Sequence, residues 1–125
     1  MSFLNILNRL LEGAPGGVSA LFLDESGEVV EMVSTDLPQD EVRVLGAYLG
    51  IYLRQLGRFL ASNRLGHLRT VAVEKDSLHL HALPLPEGYY LVLVQRCPAV
   101  VAHGRRSLLE AAEALRQDAF GGASA

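Results

Sequence analysis

The chain has 125 residues, a formal net charge of −3, and 50% hydrophobic residues. That apolar fraction with so little net charge excludes a disordered chain, and mild acidity without a basic tract excludes the electrostatic footprint of bulk nucleic-acid binding. Apolar runs such as Val18–Leu23 and Tyr89–Val94 fall far short of the roughly 18 residues of a membrane span.

The length suits one domain, expected over residues 1–120 with a flexible tail at 121–125. Cys97 is the only cysteine, which rules out an intramolecular disulfide and points to a reducing cytoplasm. Met1–Asn5 carries no basic n-region, so no secretory signal is expected. Lys75 is the sole lysine beside ten arginines, a usage that suggests a high-GC bacterial genome.

The first predicted element is a short amphipathic helix: Ser2 is positioned to cap it, and Phe3, Leu4, Ile6, Leu7, Leu10 and Leu11 recur at helical spacing. The stretch Gly13–Gly17 stops it. Val18–Leu23 is apolar on both faces, the pattern of a central strand covered on both sides. A turn over Asp24–Glu28, with Gly27 free to take a positive φ, leads to a return strand at Val29–Val33. A long helix follows, expected from an Asp36 N-cap, with Gln39 completing a capping box, to about Asn63, with Gly66 as terminator. Val42, Leu45, Leu49, Leu53, Leu56 and Leu60 form one stripe on it, which should face a sheet. Strands are then expected at Leu68–Glu74, Leu78–Leu83 and Tyr89–Arg96, the first two joined by Lys75–Ser77. Cys97-Pro98 ends the last strand. A final helix over about 101–119 sets Leu108, Leu109, Ala112 and Leu115 on one face. The fold class is therefore α/β (α+β): a five-stranded antiparallel sheet in the order helix-β-β-helix-β-β-β-helix. The long helix is expected on one face and the two terminal helices on the other.

Catalytic chemistry is not evident. The glycines of Gly13–Gly17 precede a strand and lack a following Gly-Lys-Ser/Thr, so they are no phosphate loop, and the chain is not itself a GTPase or kinase. His79 and His81 share one strand face about 7 Å apart, a spacing compatible with two metal ligands. Further ligands are not evident nearby, so the expectation is partly exposed sheet-face histidines and no metal. Cys97 shows no base or orienting group at a sequence spacing that would make it a nucleophile.

The long helix carries the more informative pattern. Gly46, Gly50 and Gly57 project within about 40° of one another, and interior glycines weaken a helix unless something approaches closely. Two explanations stand: packing on the chain's own sheet, or contact with a symmetry-related helix. Flanking ridges of Tyr48, Tyr52 and Phe59, and of Arg43, Arg54 and Arg58, have the residue types enriched in binding hot spots.

In its succession of elements the chain resembles the Roadblock family of dynein light chains and their bacterial relatives, including MglB-like polarity regulators. The resemblance is carried by Gly17–Gly27 entering the hairpin, by Tyr89–Val94, and by the closing helix at Arg105–Ala112. It implies a homodimer or heterodimer in which sheets join edge to edge and long helices pair. It also implies a non-enzymatic role as partner of a small Ras-like GTPase, either as scaffold or as activator of hydrolysis, with no cofactor. Mapped here, Gly46, Gly50, Leu53 and Gly57 on the helix and Thr70 and Ala72 on the edge strand would form the dimer interface. Arg43, Tyr48, Tyr52, Arg54, Arg58 and Phe59 would meet the partner. Two rival readings stay open: a small-ligand sensor of profilin- or GAF-like architecture with His79, His81 and Tyr89 or Tyr90 lining a pocket, and a structural subunit of a larger complex.

Overall fold

The computed structural model describes residues 2–122; the last three residues of the expected tail lie outside it. The first helix, α1 (Phe3–Gly13), opens where the Ser2 hydroxyl oxygen accepts from the Asn5 N–H at 3.2 Å. Five strands follow in one antiparallel sheet: β1 (Gly17–Leu23), β2 (Val29–Ser34), β3 (Val71–Lys75), β4 (Leu78–Pro84) and β5 (Tyr90–Arg96). Their spatial order is β2-β1-β5-β4-β3, so β1 and β5 are central and β2 and β3 are the edges. Two more helices complete the chain: α2 (Gln39–Ser62) and α3 (Val101–Phe120).

Side chains alternate across the sheet and build two cores. On one face Ala20, Phe22, Leu83, Leu91 and Leu93 pack with Ile6, Leu7 and Leu10 of α1 and Leu108, Ala112 and Leu115 of α3. On the other, Leu21, Leu23, Leu80, Tyr90, Val92 and Val94 pack with Val42, Leu49 and Leu53 of α2. The two-sided burial expected of Val18–Leu23 follows directly, as does the expected division of the helices between the faces.

Four local expectations need correction. Asp36 does not cap α2: it sits at φ 65°, and the helix begins only after Pro38. Leu37 precedes a proline and is steered from helical φ/ψ, which delays the start. At the other end Arg64, at φ 56°, takes the left-handed role expected of Gly66, with the Leu65 N–H donating to the Leu60 carbonyl at 2.8 Å. β3 starts at Val71 rather than Leu68, leaving Thr70 outside it. Its register, Val71 opposite Ala82, would next set Arg69 opposite Pro84, which has no N–H to give. In α3, Leu109 is exposed, and Ala111 takes the place in the core that the sequence pattern suggested for it.

Candidate interaction face

The two ends of α2 sit differently on the sheet. Gly46 rests on the leucines of β1, where an added Cβ would stand 3.1 Å from a Leu23 methyl. Gly50 lies against the Tyr90 ring, and a methyl group there would overlap the phenol oxygen. Leu53 is buried in the same core. These three predicted dimer residues therefore face the chain's own sheet, and close packing within the chain accounts for two of the three glycines. Gly57 points to the same side of the helix yet meets nothing within 4 Å, because the core has ended beneath it. Leu56, assigned by its periodicity to the sheet side, is 40% exposed for the same reason.

Two contacts fasten the packed half of α2. The Tyr90 hydroxyl donates to the Gly46 carbonyl at 3.2 Å. Arg54 Nη1 donates to the Glu25 carbonyl in the β1–β2 turn at 2.9 Å, and its guanidinium lies 6.0 Å from the Tyr90 ring centre. Arg54, expected to be free for a partner, is thus tied into the fold, whereas Arg43 and Arg58 on the same ridge are exposed.

Burial holds the Tyr90 phenol above its ordinary value of 10.0, against the pull of the Arg54 cation. The folded chain therefore keeps this proton longer than the unfolded chain, so the contribution is present below pH 10.0 and is lost as pH rises through the folded value. Tyr90→Phe should cost about 1 kcal/mol at neutral pH and flatten the alkaline loss, both measured by urea unfolding across pH.

The outward side of α2 is unexpectedly apolar. Val44, Tyr48, Ile51, Tyr52 and Phe59 are all exposed, with Tyr52 at 63% and Val44 at 56%. They span about 100° of the helix surface opposite the buried side, with Val44, Tyr48, Ile51 and Phe59 near the alternating three- and four-residue spacing of a helix-pairing seam. Sequence reasoning found the three aromatics but missed Val44 and Ile51. The signal was available: α2 is apolar on two opposite sides, which a helix serving a single sheet has no need to be. On β3, Val73 adds an exposed apolar side chain on the α2 face of the edge, while Ala72 is exposed and Thr70 half-buried toward the other face.

The sensor pocket is not assembled. His79 and His81 stand on the α1/α3 face, Tyr90 on the α2 face, and Tyr89 at the far end of the sheet against Phe22 and Phe120. His81 is buried rather than partly exposed. Its partner Gln95 and the helical Gly104 that makes room for Gln95 were also missed; a glutamine ending an otherwise apolar strand was the available clue. Cys97 is half-buried just beyond β5, its N–H donating to the Ser77 carbonyl. Among the described residues no three His, Cys, Asp or Glu side chains converge as a metal cluster, and no helix is long and apolar enough to cross a membrane.

No protein-family model matches the chain, and no curated protein matches it. Solved structures do. A Roadblock/LC7 domain from Streptomyces avermitilis superposes with TM-score 0.78 at 24% identity, over 91% of this chain and 94% of that one. MglB from Myxococcus xanthus gives TM-score 0.83 at 13% identity, over 97% and 96%. An MglB with a tetrameric arrangement gives 0.76 at 22% identity, over 97% and 90%. At these identities the superpositions show the fold alone, and it is the one anticipated from the order of elements: the chain folds as a Roadblock/LC7 domain.

Proposed function

We propose that the chain is a non-enzymatic, self-associating regulator or scaffold that presents a paired α2 surface to a small Ras-like GTPase. The observation that carries this reading is the exposed apolar stripe of α2, which lies opposite the side buried on the sheet. Contiguous exposed apolar surface of this kind marks an interaction site. A second copy fits it best, because the seam residues carry no charge and a two-fold axis would set the same stripe against itself. The edge strand β3 presents unpaired backbone groups to the same partner, and the tetrameric arrangement of one MglB is consistent with self-association. The unit that does this is the single domain over residues 1–120, and its expected location is the cytoplasm.

In this reading the interface consists of Val44, Tyr48, Ile51, Tyr52 and Phe59 with the β3 edge near Thr70 and Ala72, and Gly57, on the opposite side of α2, lies outside it. Gly46, Gly50 and Leu53 support it from beneath. The GTPase is then met by the arginine ridge, through Arg43 and Arg58. Ile51→Asp should turn a micromolar dimer into a monomer in sedimentation experiments without altering its circular dichroism. A wild-type chain that sediments as a monomer at that concentration would overturn self-association. For the partner, GTP-loaded GTPase captured from the source cell should bind Arg43→Ala/Arg58→Ala more weakly than wild type. Equal affinity would remove the ridge from the interface. Stimulated GTP hydrolysis in the same mixture separates an activator from a scaffold.

A further inference from the structure

Away from α2, on the face of the sheet that carries α1 and α3, a groove of ≈ 410 Å³ opens between β3 and the start of α3. Its lining includes Thr70, Ala72, His79, His81, Val101 and Arg105. Alternation along β4 puts both histidines on this face, with their ring centroids 4.3 Å apart. Helical spacing puts Val101 and Arg105 one turn apart on α3. The chain has a net charge of −3, yet no carboxylate among the described residues lines the groove. Glu74 stands opposite His79 in the register, but it is exposed and outside the lining.

Three polar side chains in this space have their donors free. Among the described residues Arg105, His79 and Thr70 make no side-chain hydrogen bond and no ion pair. The sequence gives Arg105 no neutralising neighbour, because the residues three and four positions away on α3 are Val101, Ala102, Leu108 and Leu109. His81 differs. It is buried at the floor of the groove, with Nε2 2.9 Å from Gln95 Oε1, and its ring backs that of His79. Burial is the largest cause holding His81 below its ordinary pKa; the Gln95 hydrogen bond opposes it, and His79 and Arg105 push the same way as burial. The groove therefore gathers cationic and donor groups with nothing of opposite sign to balance them.

We propose that this groove binds the phosphoryl group of a small organic molecule. Arg105 offers a planar fork of N–H donors and a permanent charge. His79 on β4 and Thr70, just before β3, offer further donors. A carboxylate has two oxygens and a single charge, which the arginine fork alone satisfies. A phosphoryl group has three acceptor oxygens and a charge of roughly −1.5 to −2 at neutral pH, so it also uses His79 and Thr70. Ala72 and Val101 supply an apolar wall for the body that carries it. The site uses one face of the sheet rather than the backbone edge of β3, and it does not rest on self-association through α2.

Titration of the isotope-labelled full chain with glycerol phosphate should give saturable amide shifts centred on Thr70, Ala72, His79 and Arg105, with one site per chain by calorimetry. Inorganic phosphate should shift the same amides but bind more weakly, because it leaves the apolar wall unused, and acetate should bind more weakly still. Arg105→Gln should keep its circular dichroism and lose at least about tenfold in affinity; His79→Ala should lose a smaller factor. Arg106→Gln removes the same charge one residue on, outside this groove, and should bind as wild type. Ile51→Asp should also bind as wild type, which separates this site from self-association. Absence of saturable shifts at millimolar glycerol phosphate would overturn the site, as would undiminished binding by Arg105→Gln. Equal losses in Arg105→Gln and Arg106→Gln would overturn it in favour of diffuse attraction to a cationic surface. Acetate binding as tightly as the ester would overturn the phosphoryl group, and inorganic phosphate doing so would overturn the organic body.

Discussion

Phe22→Ala should destabilise the domain by about 4 kcal/mol, a large share of the roughly 5–15 kcal/mol available to a domain of this size. The ring is 1% exposed on the central strand β1. It meets Phe3 of α1 edge-on at 5.2 Å, Tyr89 at 5.6 Å and Phe120 of α3 at 6.4 Å. One side chain thus joins both terminal helices to the sheet, and its removal leaves a void that three rigid rings cannot readily fill. Urea unfolding should show a lower midpoint with an unchanged slope. A loss under about 1.5 kcal/mol would mean that the terminal helices close over the gap, with a cost nearer that of a volume-conserving change.

Gly50→Ala should cost about 3 kcal/mol, although alanine is the better helix former. The added methyl group overlaps the Tyr90 phenol, and Tyr90 is 2% exposed and wedged between sheet and helix. Either the ring leaves its place, losing the bond to Gly46, or α2 lifts from the sheet and loosens Leu49 and Leu53. Gly57→Ala supplies the contrast. Nothing lies within 4 Å of its added methyl group, so in the isolated chain it should stabilise by up to about 1 kcal/mol. Equal behaviour of the two variants would show that the glycine line has one role along its length.

How far the sequence could be read depended on how local the determining physics was. The two-sided burial of β1, the Gly27 turn and the division of helices between the faces follow from periodicity and turn chemistry, which act over a few residues. The start of α2 was misplaced because a capping pattern at Asp36 competes with the restriction that Pro38 puts on Leu37, and the pattern alone does not rank them. The glycine line was legible as a close approach, but its partner was not, because Tyr90 reaches Gly50 only after β5 has paired with β1. The arginine ridge shows the same limit: Arg43, Arg54 and Arg58 are equivalent on a helical wheel, and only the folded β1–β2 turn singles out Arg54. The outward stripe was half-read, since aromatics drew notice where Val44 and Ile51 did not. The hydrogen-bonded relay from His81 through Gln95 to the Pro15 carbonyl joins distant segments, and no spacing rule contains it.

The placing of β5 beside β1 also governs how the chain acquires its structure. The register joins Leu23 to Tyr90 and Gly17 to Gln95, so the centre of the sheet cannot close until the chain has been made through β5. Local helices form early, but the contacts that define both cores are long-range, which places folding toward milliseconds to seconds rather than microseconds. During synthesis the hairpin of β1 and β2 emerges first, with the apolar side of Val18–Leu23 unpaired until the last strand leaves the ribosome. The segment most protected in the finished domain is thus the one most exposed to aggregation while it is being made.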